Sequence, residues 1–152
     1  MNVLVLHGPN LNLLGSRQPE IYGDLRLTDL ESRLVHLGVE LGVEVDGYQS
    51  NHEGELIDRI HASNHVSGFV VNAGGLTHTS VSLRDAFLAV DRPMVEVHAS
   101  NLARREDFRQ RSLLADIAVG TVAGFGIHSY ELGLRGLVHF LEQRRDEDRT
   151  RG

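Results

Sequence analysis

The stretch VLVLHGPNLNLLGSRQPEIYG, residues 3–23, decides how the rest of the chain is organised. Its first four residues form an apolar run that predicts a buried strand. A long polar loop follows instead of a helix, and loops beyond about a dozen residues in a compact domain are usually lids or binding loops. The loop, about residues 10–23, carries the cation Arg17 and the phenol Tyr22. We expect a lid that contributes both groups to a site; the alternative is a surface loop whose Tyr22 packs on the core.

The rest of the chain alternates apolar runs with amphipathic segments. The predicted strands are 3–6, 43–48, 69–71, 94–97 and 117–123. The predicted helices are 28–41, opened by a Thr28–Glu31 capping box, a second opened by a Ser50–Glu53 capping box, a third capped by Thr79 or Ser80, and a last helix from 127 to about 144. Near-continuous apolar strands that alternate with helices indicate a parallel sheet covered on both faces. We therefore predict a flavodoxin-like three-layer α/β sandwich with a five-stranded parallel sheet. It forms one domain, residues 1–144, followed by a charged tail, 145–152, that we expect to be disordered.

Composition excludes several classes of function. All 15 basic residues are arginine, so neither a lysine Schiff base nor a Walker-type phosphate loop is available. The chain has no cysteine, so thiolate zinc sites and disulfide scaffolds are excluded. The net charge of −6 argues against nucleic acid. No apolar stretch approaches the roughly 18 residues of a membrane span, and no basic region precedes the first apolar run. We expect a cytoplasmic protein.

Polar residues follow the predicted strands at their carboxyl ends. In parallel sheets of this kind, ligands bind beyond those ends. Four segments should therefore converge on one edge of the sheet: 7–10, 49–53, 72–78 and 98–101. They are rich in amide, hydroxyl and imidazole groups, which suits a small polar ligand.

Several side chains in and after these segments are candidates for chemistry. His98 ends the fourth strand close to Glu96 and can transfer a proton near neutral pH; the alternative is a histidine that is merely hydrogen-bonded. His78 precedes a helix amino terminus, where polar oxygens are favoured, although Thr79 and Ser80 could simply cap that helix. A cluster of guanidinium groups matches a carboxylate bidentately or forms a solvated helix face: Arg104, Arg105, Arg109 and Arg111.

The pair Arg17 and Tyr22 can supply a base. A tyrosine with a pKa near 10 is a poor base at neutral pH. A guanidinium about 4 Å away, at an effective dielectric near 20, is worth roughly 4 kcal/mol, or about 3 pKa units at most. A closed lid would exclude water and preserve that shift. His61 and His65 are four apart, but no third ligand lies at useful spacing, so we expect no metal.

Four motifs in this order resemble type II 3-dehydroquinate dehydratase: GPNLNLLGxRxPxxYG (8–23), QSNHEGELID (49–58), NAGGLTHTSVxLRD (72–85) and EVHxSNxxxRExFR (96–109). The resemblance implies dehydration of 3-dehydroquinate to 3-dehydroshikimate by anti elimination through an enolate. No metal or cofactor is implied, and the pathway is that of shikimate or of quinate breakdown. The sequence departs from many members at Ala103, Gln110, Arg111 and Leu113, none of which we assign to the chemistry.

The resemblance also assigns roles by position. Tyr22 is implied as the base, Arg17 as the group that lowers its pKa, and Asn10 as the holder of the water that stabilises the enolate. His98 is implied as the acid, held by Glu96. The implied substrate-binding residues are Asn72, His78 and Arg109 for the ring hydroxyls, Ala99 and Ser100 for the carboxylate, and Asp85, which reaches a neighbouring subunit's site. The implied assembly is a homododecamer built from trimers.

Three other readings of the same fold remain open at this point. A flavodoxin-type module that binds FMN needs a hydroxyl-rich phosphate loop after the first strand, where this chain has 7–10, His-Gly-Pro-Asn. A phosphoacceptor receiver domain needs an acidic pair and a lysine that are missing. The third is a catalytically silent scaffold.

Overall fold

The sheet has five parallel strands in the order β2-β1-β3-β4-β5. The computed structural model describes residues 1–16 and 19–152, without the side chains of Ile21 and Tyr22. The strands are β1 (Asn2–His7), β2 (Glu44–Gln49), β3 (Gly68–Asn72), β4 (Met94–His98) and β5 (Gly120–Ala123). Both the predicted number of strands and their parallel arrangement are confirmed, as is the flavodoxin-like order.

Five α-helices connect and cover the strands in the described residues: α1 (Pro19–Tyr22), α2 (Leu27–Leu41), α3 (Glu53–Ala62), α4 (Val81–Val90) and α5 (His128–Arg151). Short 3₁₀ helices occupy Leu11–Leu13, Gly74–His78, Leu102–Arg104 and Asp107–Arg109. None of the helices in this part of the chain has the length and apolar content needed to cross a membrane.

The core is divided by the sheet into two layers, because successive residues of a strand point to opposite faces. On one face, Val3 and Val5 of β1 pack with α2 and α5. On the other face, Leu4 and Leu6 pack with α3 and α4. The helices are therefore arranged on both sides of the sheet, as the apolar runs predict.

The ends of the helices differ from the predicted caps at two places. At α2, the Asp29 carboxylate accepts a hydrogen bond from the Arg26 amide at 3.1 Å, so the predicted Thr28–Glu31 box is wrong. At α3, the Ser50 hydroxyl donates to Glu55 at 2.5 Å instead of forming a box with Glu53. The predicted box does not form because the N-cap residue of α3 is His52, so Ser50 lies two residues before the position from which a box could be made.

Two further boundaries also differ. The strand β5 begins at Gly120, and the apolar residues Ile117 and Ala118 instead pack in the core layer under α3 and α4. The helix α5 continues to Arg151, so the structure places 145–151 in a helix where the sequence suggests a disordered tail. These residues are exposed, and three of the seven are arginine, a residue of high helix propensity.

The register of the sheet brings the first and third strand ends together. His7, the last residue of β1, lies opposite Asn72, the last residue of β3. Directly beyond them, Gly8 donates to the Asn72 carbonyl at 2.8 Å. The connections that leave β1 and β3 therefore begin side by side at the edge where the sequence places the site.

Candidate active site

A pocket lies at the carboxyl ends of β1, β3 and β4. Three of the four segments predicted to converge contribute to its lining, and the segment after β4 adds two arginines. The lining residues are Pro9, Asn10, Leu11, Leu13, Leu14, Asn72, Gly74, Gly75, His78, His98, Ala99, Ser100, Leu102, Arg105 and Arg109. The sheet topology predicted this edge correctly, because all parallel strands end there.

The fourth segment, 49–53, supports the pocket from behind. The Asn51 side-chain oxygen accepts from the Asn10 amide at 2.9 Å and from the Gln49 side chain at 3.1 Å. Asn10 has a left-handed backbone conformation, with φ of 70°, which asparagine tolerates better than most residues. This contact places Asn10 at the rim of the pocket with its side chain exposed.

The buried pair His98 and Glu96 occupies the end of β4. The Nε2 atom of His98 lies 3.3 Å from Glu96 Oε1, within ion-pair distance, and both side chains are nearly fully buried. His98 lines the pocket, whereas Glu96 lies behind it. The structure thus brings together the acid and the carboxylate that the sequence suggests.

Glu96 is held as a carboxylate. Burial acts to raise its pKa, but hydrogen bonding by His98, Ser112 and Thr121, together with the charge of His98, outweighs burial and leaves the pKa below its usual value. The ionised Glu96 thus places a negative charge and a hydrogen-bond acceptor beside the His98 ring.

Asn72 is positioned by two contacts at the end of β3. Its side-chain nitrogen donates to the phenol oxygen of Tyr130 at 2.6 Å, and its side-chain oxygen accepts from the Gly74 amide at 3.1 Å. Tyr130 belongs to α5 and is fully buried. These two bonds fix the plane of the Asn72 amide beside the pocket.

His78 also lines the pocket. Its Nδ1 atom lies 2.8 Å from the Arg111 carbonyl, a distance that fixes the orientation of the ring. The Leu113 amide donates to the Thr77 carbonyl at 2.8 Å. The segment 111–113 is thus attached to the 3₁₀ helix that ends at His78.

The arginine cluster divides into two pairs. Arg105 and Arg109 line the pocket, whereas Arg104 and Arg111 are exposed outside it. Arg109 Nε donates to Glu106 at 2.6 Å, and Arg105 donates to the Ser100 hydroxyl at 3.3 Å. Arg105 therefore belongs to the site; it is a fixed position of the motif EVHxSNxxxRExFR, although the resemblance assigned it no role.

The remaining predicted site residues lie elsewhere. Ala99 and Ser100 line the pocket directly after His98. Asp85 is exposed on α4 and does not line this pocket. Arg17 and the side chain of Tyr22 are outside the described residues; the Tyr22 backbone ends α1.

Three residues near the site were missed by sequence reasoning about function. Tyr130 and Ser112 hold Asn72 and Glu96 across long separations in the chain. His7 is fully buried with its ring centroid 5.7 Å from that of Tyr130, and burial lowers its pKa to about 4. His7 could have been singled out from the sequence, because it is a polar residue at the end of a buried strand, next to a loop, and burying a polar group there costs free energy.

The arrangement suits proton transfer on a small, oxygen-rich ligand. It combines an imidazole beside an ionised carboxylate with amide, imidazole and guanidinium donors. In the described part of the chain, no three histidine or acidic side chains come together in a way that could hold a metal ion.

Comparisons with known proteins give a consistent result. The family described as "Dehydroquinase class II" matches residues 1–138. The chain is 52% identical to a 3-dehydroquinate dehydratase of Carboxydothermus hydrogenoformans, over 100% of this chain and 99% of the relative. It is 50% identical to one of Prochlorococcus marinus (strain MIT 9215), over 93% and 97%. A crystal structure of type II dehydroquinase from Butyrivibrio crossotus superposes with a TM-score of 0.87 at 38% identity, covering 90% of this chain and 97% of that one.

Proposed function

The chain belongs to the class II dehydroquinase family and is a hydro-lyase that dehydrates 3-dehydroquinate in the shikimate pathway, and from this premise we propose that it does so by anti elimination through an enolate in the pocket at the carboxyl edge of the sheet. The observation that supports this most strongly is His98 in the pocket wall, backed by the ionised Glu96. A role in quinate breakdown stays a prediction.

The reaction begins with removal of a proton from the carbon next to the ketone. Tyr22 is the proposed base, and Arg17 lowers the pKa of its phenol. The electron pair of the broken C–H bond moves into an enolate, whose oxygen is stabilised by a water held by Asn10. Asn10 lies at the pocket rim, where such a water can reach the ligand.

The second step expels the hydroxyl group. The enolate collapses to the conjugated ketone as the C–O bond breaks, and His98 donates a proton so that water leaves. The Nε2 atom of His98 faces Glu96, so Nδ1 is the nitrogen that we assign to this transfer. Glu96 supports the imidazolium before the step, since an adjacent carboxylate favours the charged form.

Binding of the substrate uses the donors around the pocket. Asn72, His78 and Arg109 are assigned to the ring hydroxyls, and the Ala99–Ser100 turn to the carboxylate. We add Arg105 to the carboxylate side, because its guanidinium lies beside Ser100. A guanidinium and a carboxylate form strong paired hydrogen bonds.

Asp85 has a different proposed place. Its side chain is exposed on α4, away from the pocket of its own chain. A role in a neighbouring subunit's site is compatible with that position and agrees with the proposed homododecamer, which is built from trimers. The assembly and the cytoplasmic location both stay predictions.

The proposal is tested by the ultraviolet absorbance of the conjugated product when purified protein is given 3-dehydroquinate. Wild-type protein should form the product without added metal, whereas His98→Ala should be impaired mainly in loss of the hydroxyl group. His61→Ala, an exposed histidine outside the pocket, is the matched control. Sodium borohydride should not trap substrate on the protein, because the chain has no lysine to form an imine. Normal turnover by His98→Ala would contradict the assignment.

A further inference from the structure

Glu96 is the point at which three side chains from different parts of the chain meet. It is 1% exposed in the strand β4, where its backbone lies between Val71 of β3 and Thr121 of β5. A carboxylate in such a place is stable only if polar groups replace the water it has lost. The groups that replace this water therefore decide the charge state of Glu96 and the position of its carboxylate beside His98.

The two oxygens of Glu96 have different partners. Oε1 lies 3.3 Å from His98 Nε2 and also accepts a short hydrogen bond from the Ser112 hydroxyl. Oε2 accepts from the Thr121 hydroxyl at 3.4 Å. Ser112 therefore acts on the same oxygen that faces the proposed acid, whereas Thr121 acts on the other oxygen and over a longer distance.

The direction of the Ser112 hydrogen bond is fixed by its other contacts. A serine hydroxyl has one proton to donate and two lone pairs that accept. The Ser112 oxygen accepts from the backbone amides of Leu114 at 3.0 Å and Ala115 at 3.1 Å. Both acceptor positions are thus taken, and the remaining O–H can only donate to Glu96. Oε1 must therefore be an oxygen without a proton.

From this geometry we propose that Ser112 is a positioning residue that keeps Glu96 ionised and aimed at His98, so that His98 enters the reaction as an imidazolium. Ser112 does not line the pocket and acts through Glu96. The proposal rests on the proposed role of His98 as the acid. In the described residues, the groups that act on the Glu96 carboxylate are His98, the one titratable group among them, and the uncharged Ser112 and Thr121.

A purely structural role for Ser112 has a different signature. The neighbouring residues Arg111 and Leu113 attach this segment to His78 and Thr77. If Ser112 only held the segment in place, its loss would disturb His78 and raise KM for the substrate. If it acts through Glu96, its loss changes kcat and the titration of the pair, and leaves KM nearly constant.

The test is a ¹³C NMR titration of the Glu96 side-chain carboxyl, assigned by the signal that is lost in Glu96→Gln. In wild-type protein it should titrate below the usual range of glutamate. Ser112→Ala should raise its pKa, with a change of roughly tenfold or more in acid dissociation constant, because a hydrogen bond to a charged group is lost. Ser112→Thr keeps the hydroxyl and should restore most of the difference, and Thr121→Val should have the smaller effect.

Turnover gives a second readout. If the lost hydrogen bond weakens the support that Glu96 gives His98, Ser112→Ala should lower kcat by roughly tenfold and change KM by less than about threefold. An unchanged Glu96 titration in Ser112→Ala would overturn the proposal, and so would equal effects of Ser112→Ala and Thr121→Val. If the two variants titrate as expected but His98→Ala retains normal turnover, the proposed reaction fails while the Ser112–Glu96 coupling stands.

Discussion

The side chain of Asn72 donates to the phenol oxygen of Tyr130 over 2.6 Å, although 58 positions separate the two residues in the chain. One is the last residue of β3 and the other belongs to the first turn of α5. The contact fixes a proposed substrate-binding amide from inside the core. The contact connects α5 to the pocket, so a substitution at Tyr130 should alter the position of the Asn72 side chain in the site.

Tyr130→Phe should lower both stability and substrate affinity. The substitution leaves the Asn72 side-chain N–H without this buried acceptor, which costs about 1–3 kcal/mol of unfolding free energy. Because the Asn72 amide can then rotate, KM should rise more than kcat falls. Urea denaturation and steady-state kinetics measure the two effects. Tyr48→Phe is the matched control, since the structure records a contact of Arg59 with the face of that ring, which phenylalanine keeps; equal losses in both variants would refute the coupling.

Gly8→Ala should damage the site through the backbone. A Cβ atom at Gly8 would lie 2.3 Å from the carbonyl oxygen of Ala73, in the connection that leaves β3. Neither backbone can move without separating the strand ends at the pocket, so we expect a loss of at least about 2 kcal/mol of stability. Gly54→Ala has open space around the new Cβ and, as the control, should be neutral or stabilising by up to about 1 kcal/mol. Chemical denaturation distinguishes the two, and a Gly8→Ala protein of wild-type stability would show that the close approach has no cost.

Stability should fall as the pH falls from about 6.5 to about 4, because of His7. Burial lowers the pKa of His7 to about 4 in the folded protein, whereas in the unfolded chain it is about 6.5. Between these values the unfolded state binds the extra proton, so the free energy of unfolding rises with pH, by about 3 kcal/mol over the interval. The contribution is fully present above pH 6.5.

Replacing His7 tests that assignment. His7→Gln should flatten the pH dependence of stability between pH 4 and 6.5, whatever it does to stability at pH 7. His36→Gln, at an exposed position on α2, should leave the slope as it is in wild-type protein. Denaturation midpoints at several pH values give the slope. An unchanged slope in His7→Gln would assign the effect to other groups.

Arg17→Ala should move the ascending limb of the rate profile to higher pH. In the proposed mechanism the limb reports deprotonation of Tyr22. Loss of the proposed Arg17 partner would remove up to roughly 4 kcal/mol of stabilisation of the phenolate, so we expect the apparent pKa to rise by about 1–3 units. Arg17→Lys keeps the charge and should move the limb less. The profile of kcat against pH measures this, and coincident profiles for wild-type and Arg17→Ala protein would count against the pairing.

The sheet and the location of the site follow from local patterns and one topological rule. Apolar runs such as 94–97 predict parallel strands, and parallel strands gather their carboxyl ends at one edge, where Asn72 and His98 are found. The ends of the helices were harder to predict, because several residues near a helix start can each act as a cap. At α2, the sequence favours Thr28 as the cap, whereas the helix begins at Leu27 and the Asp29 carboxylate accepts from the Arg26 amide.

The supports of the site could not be predicted in the same way. Tyr130 fits the apolar stripe of α5, and nothing in that periodicity indicates that its hydroxyl reaches Asn72. Ser112 follows the arginine segment and gives no sign that it bonds Glu96, 16 positions earlier. Such contacts cross layers of the fold and depend on side-chain geometry, which local sequence patterns do not encode.

The central claim is that Tyr22 reacts as a phenolate. The chain has three tyrosines, so ¹³Cζ-tyrosine labelling gives three NMR signals, and the Tyr22 signal is the one absent from Tyr22→Phe. With a substrate analogue bound, we expect this signal to titrate within the pH range in which the protein is active, and Tyr22→Phe to bind the analogue but form no product. A Tyr22 phenol that stays fully protonated across that whole range would contradict the account.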